Sequence, residues 1–159
     1  MRKPLIVVSD SMKLHELLKP EAVLIRWEPA TKSEAITQLV DALDRAHLIA
    51  DRDQVLEDVL LREQSLSTGL GDGIAYPHAR SRGVDSVALA LGIVPEGLEF
   101  NSRDEEPAVF IPLMVTPEDS GAPHLYVMAE IVKKLEKREI REQLLAAESP
   151  EEVCEILTK

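Results

Sequence analysis

Imidazole is the side chain that can be an uncharged nucleophile near neutral pH without special tuning, and this chain has four. His15 falls in an amphipathic helix and His47 at a helix end, where a cation is favourable, so surface and capping roles account for both. His78 follows Pro77 and the segment Ser67-Thr68-Gly69-Leu70-Gly71-Asp72-Gly73, which holds three glycines in seven residues. His124 falls in the first turn of a predicted helix, where backbone amides point outward unsatisfied and favour anions. Either histidine alone would more often be structural than chemical. Together with Arg62 and the glycine loop they form the inventory of a phosphohistidine site. Such a site needs a ring nitrogen free of its proton, with the other nitrogen fixed by a hydrogen bond. It also needs donors that steady the travelling phosphoryl oxygens: a guanidinium, a second ring NH and loop or helix-end amides. Ser67, Thr68, Gly69, Gly71 and Gly73 are the loop residues expected to give that support. The carrier itself requires no metal and no cofactor.

The loop has no Lys-Ser/Thr ending and precedes an extended segment instead of a helix, so both nucleotide-binding readings fail. By itself it would be a turn needing positive φ.

These residues must be positioned by elements that the pattern predicts. Leu14 to Leu18 reads as a short helix and Ala22 to Trp27 as a strand. Thr31 with Glu34, Asp51 with Gln54 and Ser149 with Glu152 read as helix starts. Ile36, Leu39, Val40 and Leu43 recur at helical spacing, as do Val55, Val59 and Leu60 in the helix that ends near Arg62 and Glu63. Ile74 to Tyr76 is expected to be extended, because Pro77 disfavours the helical region for Tyr76. Val87 to Val94 and Ala108 to Val115 are β-rich apolar runs expected to be buried strands, with turns over Pro95 to Pro107 and Thr116 to Pro123. Pro123 suits the first turn of the next helix, whose buried stripe is Leu125, Met128, Val132 and Leu135. Ile140 to Ala147 continues helical. Helices around central strands predict an α/β sandwich with helices on both sheet faces, in one domain over residues 1–159.

Composition narrows the function. The 159 residues carry 29 acidic and 18 basic side chains, a net charge of −11, with 3% aromatics. Nucleic acid binding calls for a basic surface and, on single strands, stacking aromatics, so that class is excluded. The longest apolar run has eight residues, Val87 to Val94, whereas a membrane helix needs about 20. The start shows no apolar signal region, and a lone Cys154 suits a reducing compartment, so a cytoplasmic location is expected. An acidic surface favours encounters with basic proteins.

The runs Leu61-Arg62-Glu63, Ser67-Thr68-Gly69-Leu70-Gly71 and Gly73-Ile74-Ala75-Tyr76-Pro77-His78-Ala79-Arg80 resemble the mannitol/fructose/nitrogen-type enzyme IIA family of the phosphotransferase system. Lys13 to Leu18, Val87 to Gly92, Gly97 to Phe100, Asp104, Pro107, His124-Leu125 and Glu151 to Leu157 extend the resemblance over about residues 13–157. Arg62 and His124 stand 16 and 46 residues from His78, spacings that suit the family. The resemblance implies a mixed, roughly five-stranded sheet sandwiched by helices. It implies that His78 accepts a phosphoryl group, at Nε2, from HPr or a nitrogen-type HPr paralogue, and that Arg62 and His124 flank the ring. Two positions depart from the family: Tyr76 replaces a small aliphatic residue, and Ala79-Arg80 replaces Gly-Lys. The chain as given has no sugar-binding membrane domain or enzyme IIB domain, and His124 to Glu152 resembles the regulatory branch. Both features lead to the expectation of a nitrogen-type regulator that binds targets by phosphorylation state. The alternative is a sugar-specific enzyme IIA passing phosphate to a cysteine of enzyme IIB. A metallohydrolase using His78, His124 and Asp72 or Glu130, and a structural adaptor, are readings of other classes.

Overall fold

The computed structural model describes residues 13–120 and 124–159. Leu18–Leu24 (β1) follows a single helical turn, Leu14–Leu17 (α1), and pairs in parallel with Ala88–Leu98 (β5). β1 lies earlier than the expected Ala22 to Trp27. Its pairing ends at Leu24 opposite Gly92, and Arg26 then turns the chain with φ of 49°. β5 pairs antiparallel with Ala108–Pro117 (β6), and a bulge between Ile93 and Leu98 carries β5 into the region expected to be turn.

Two long helices connect β1 to the glycine loop. Lys32–Arg45 (α2) starts at Thr31, whose Oγ1 accepts from the Glu34 amide at 3.1 Å, while the Glu34 carboxylate accepts from the Ala30 amide. Arg52–Ser65 (α3) starts at Asp51, which accepts from the Gln54 amide at 3.2 Å. After β6 come His124–Leu135 (α4), Arg138–Ala146 (α5) and Pro150–Thr158 (α6), the last capped by Ser149 accepting from the Glu152 amide. Pro123 and the side chains of His124 and Leu125 lie outside the described residues.

Alternation along β5 and β6 explains the layers. Ala88 and Ala90 with Ile111, Leu113 and Val115 face Ile36, Leu39, Leu43, Val55 and Val59 of α2 and α3. Leu89, Leu91 and Ile93 with Phe110 and Met114 face Val127, Ile131, Leu135, Leu144, Val153 and Leu157 of the last three helices. A sheet covered on both faces has apolar residues on both, which is why these two strands read as unbroken apolar runs. The expected three-layer α/β sandwich is therefore present, with a mixed sheet.

The sheet has six strands rather than five, because Gly69–Gly71 (β2), Ile74–Ala75 (β3) and His78–Ser81 (β4) are all strands. The path is β1-β5-β6-β3-β2, and β4 also pairs with β6. β3 and β4 occupy successive lengths of the same edge of β6: Ile74 lies opposite Phe110, and His78 through Ser81 opposite Met114 through Pro117. Between them Pro77 has no N–H to give to a ladder, but its carbonyl accepts from the Met114 amide at 3.1 Å. His78 is thereby held in register at the start of β4.

Candidate functional site

The last turn of α3 places the first side chain. Arg62 Nη1 donates to the Leu66 carbonyl at 3.0 Å, satisfying one of the carbonyls that a helix end leaves open. Its neighbour Glu63 points the other way and is 6% exposed. A carboxylate that deep must be paired. It accepts from Lys32 Nζ at 3.0 Å, from the Thr68 amide at 2.9 Å and from Thr68 Oγ1 at 2.6 Å. The Lys32 ammonium lies 5.0 Å from the Phe100 ring centre, a cation–π distance. Ser67 Oγ donates to the Phe100 carbonyl at 2.6 Å and accepts from the Gly69 amide. The start of the glycine loop is therefore fastened to α2, to α3 and to the segment after β5.

The rest of the loop is a β-hairpin. Asp72 and Gly73 have φ of 55° and 79°, the signs needed by the two central residues of a type I′ turn. The Asp72 amide donates to Asp104 at 2.8 Å, and the Asp72 carboxylate meets Arg141 at 3.2 Å. Accepting amides from Asp72 and Glu106 holds the Asp104 carboxyl below its usual range. The return strand closes with the Tyr76 amide donating to the Thr68 carbonyl. The chain then passes through Pro77 to His78.

At His78 the geometry fixes the chemistry of the ring. Nδ1 lies 3.0 Å from the Tyr76 carbonyl oxygen. A carbonyl only accepts, so the neutral ring carries its proton on Nδ1 and presents Nε2 as the basic, nucleophilic nitrogen. The Tyr76 ring lies parallel to the imidazole, with centres 4.9 Å apart and planes at 6°. Burial pushes the His78 pKa below its ordinary 6.5, the Tyr76 carbonyl pulls it up, and the Arg62 charge pushes it down again. The uncharged form therefore holds throughout the neutral range.

His78 and Arg62 share one cavity of about 280 Å³, lined also by Ala79, Arg80, Met114 and Thr116. Ser67, Thr68, Gly69, Gly71 and Gly73 are not among its lining residues. The amides of Thr68 and Gly69 in that loop are committed to internal acceptors, and the Thr68 carbonyl accepts from the Tyr76 amide two residues before His78. His124 opens α4, and its ring lies outside the described residues. Glu63, bonded to the loop at Thr68, and Arg80, which lines the cavity, lie outside the set of site residues expected from the sequence. Glu63 had a signal, since a glutamate beside a candidate arginine and near a glycine loop has two neighbours to organise. Asp72 pairs with Arg141, and Glu130 lies 3.6 Å from Lys134. Among the described residues no three His, Cys, Asp or Glu side chains cluster as a metal site would require. No helix among them is long and apolar enough to cross a membrane.

Known proteins resemble this chain in sequence and in fold. Residues 16–159 match the family described as "Phosphoenolpyruvate-dependent sugar phosphotransferase system, EIIA 2". The "PTS system fructose-specific EIIABC component" of Bacillus subtilis is 34% identical over 148 residues, covering 93% of this chain. The chain spans only 23% of that relative's length. The "PTS system fructose-specific EIIA component" of Haloferax volcanii is 34% identical over 139 residues, 87% of this chain and 90% of the relative. Among solved structures, the nitrogen regulatory protein IIA-Ntr of Neisseria meningitidis superposes with a TM-score of 0.81 at 32% identity, covering 91% of this chain and 99% of that one.

Proposed function

The chain belongs to the type 2 EIIA family of the phosphoenolpyruvate-dependent sugar phosphotransferase system, and from that membership we propose that His78 is its phosphoryl carrier. The observation that carries this reading is the Nδ1 bond to the Tyr76 carbonyl, which leaves Nε2 as the nucleophile in a cavity shared with Arg62. The Nε2 lone pair attacks phosphorus of a donor phosphohistidine. The new N–P bond forms as the donor's N–P bond breaks, and the donor imidazole keeps the bonding pair. Arg62 steadies the phosphoryl oxygens by charge-assisted hydrogen bonds. His124 is assigned the same supporting role by its place in the family pattern. Ser67, Thr68, Gly69, Gly71 and Gly73 support the site through the shape of the hairpin.

The donor in this reading is HPr or a nitrogen-type HPr paralogue, and the work is done in the cytoplasm. The protein is a nitrogen-type regulator that binds its targets according to phosphorylation state. The likeness to the Neisseria meningitidis IIA-Ntr structure, over 99% of that chain, supports the regulatory branch. A second reading is sugar-specific, with phosphate passing on to an enzyme IIB cysteine. The 34% identity with the Haloferax volcanii fructose-specific component, which this chain nearly spans, supports it.

Two measurements test these proposals. His78→Ala is expected to abolish labelling by a phosphorylated HPr-type donor while the protein keeps its fold, and equal labelling of wild type and variant would remove His78 from its role. A chase of labelled protein into purified enzyme IIB domains separates the branches. Retained label fits the regulator, and rapid transfer to a sugar-specific domain fits the alternative.

A further inference from the structure

We propose that Arg80 is a second phosphoryl-binding residue of the His78 cavity, acting alongside Arg62; this rests on His78 being the phosphoryl carrier. Side chains alternate along β4. Ala79 and Ser81 are buried, while His78 and Arg80 are on the open side. Their cross-strand partners are Met114 and Thr116, and all four residues line the same cavity. Residues two apart on a strand lie roughly 7 Å from one another, a span that an arginine side chain covers easily.

The charge pattern makes this placement unusual. Acidic side chains outnumber basic ones by 29 to 18, and two other arginines of the molecule illustrate the usual outcome. Arg82 meets Glu118 at 2.7 Å, and Arg52 meets Asp41 at 2.7 Å. The Arg80 backbone pairs with β6 opposite Thr116, but its side chain makes no hydrogen bond or ion pair among the described residues. It also borders a neighbouring polar pocket with Gln54, Asp58, Arg82 and Glu118. There Asp58 accepts from Gln54 at 3.1 Å and Glu118 from Arg82, and neither carboxylate forms an ion pair with Arg80. A guanidinium fork without an acid, beside an imidazole poised for phosphoryl transfer, is suited to a phosphoryl dianion. Arg80 exchanges no proton in the step. It contributes hydrogen bonds to the oxygens while the donor N–P bond breaks and the Nε2–P bond forms.

The test uses the full chain as wild type, R80Q, R80K and R82Q, each checked for an unchanged melting temperature. Labelling of His78 is timed with a phosphorylated HPr-type protein and, separately, with phosphoramidate, a small donor that needs no protein-docking surface. R80Q should label at least about tenfold more slowly with both donors, the loss expected for a hydrogen bond to a charged group. R80K should recover part of that loss, and R82Q should match wild type. Equal rates for R80Q and wild type with phosphoramidate would overturn the proposal. A loss seen only with the protein donor would overturn it too, making Arg80 a docking residue. Wild type that labels with neither donor would instead sink the carrier reading beneath it.

Discussion

In the proposed carrier role, His78 depends on one backbone carbonyl that makes its two nitrogens unequal. With Nδ1 committed to the Tyr76 carbonyl and the ring pressed below its ordinary pKa of 6.5 by burial, acid has to work harder than usual to protonate Nε2. The rate of phosphoryl acceptance should therefore stay level as pH falls through 6.5 and decline only below it. Protonation matters for stability with the same sign. Between the lowered native pKa and 6.5 the unfolded chain binds a proton that the native ring refuses, so this contribution is lost as pH falls and complete above 6.5. A pH titration of the His78 ring resonances beside the pH–rate profile checks both, and a midpoint at or above 6.5 would count against them. Arg62 is half-buried at a helix end, and in the proposed site it supports charge without supplying the nucleophile. Arg62→Ala should slow labelling roughly 100-fold while leaving some, and an unchanged rate in rapid-quench labelling would take Arg62 out of the site. Tyr76 shows what a departure from a family pattern can do: where a small aliphatic residue is usual, a ring stacks on the imidazole.

Between single residues and the sheet lies the hairpin, and its anchor is Glu63. Removing this carboxylate leaves the Lys32 ammonium, the Thr68 amide and the Thr68 hydroxyl without their acceptor. Glu63→Ala should cost about 3 kcal/mol, the penalty for breaking a buried pair from one side, and urea denaturation would measure it. The same variant should slow labelling, because the loop that positions Tyr76-Pro77-His78 loses its tie to α3. A stability within experimental error of wild type would show that the network is not what holds the loop. At this level some elements are written locally in the sequence and others are not. Three helix starts were visible because the chemistry of a cap is local: Thr31 with Glu34, Asp51 with Gln54 and Ser149 with Glu152 sit within one turn of each other. The hairpin carries a local signal in Asp72-Gly73, a pair suited to the positive φ of a type I′ turn. β4 carried none, since His78-Ala79-Arg80-Ser81 has neither alternating apolar residues nor β-branched ones. It is a strand because the edge of β6 beyond β3 offers hydrogen-bonding groups to it, a tertiary cause that no window of sequence contains.

At the scale of the molecule, the sheet explains why residues far apart in sequence meet. β6 carries β3 and β4 on one edge, and β4 packs against α3, so a residue at the end of α3 and one at the start of β4 reach the same cavity. The two apolar runs that became β5 and β6 predicted a sheet buried on both sides, and the split of the core into two clusters is that prediction realised. Nothing in the runs told the strand order, because apolar residues on both faces specify burial and leave neighbours open. The meeting of Arg62 with His78 was expected from the family resemblance and its spacing, whereas Arg80 entered only with the register of β4 against β6. The most direct test of the whole arrangement is to phosphorylate the protein with a phosphorylated HPr-type donor and locate the acid-labile phosphate by mass spectrometry and phosphorus NMR. A single phosphoryl group on His78, bonded through Nε2, is the expected result. Phosphate on another residue, or on Nδ1 of His78, would contradict it.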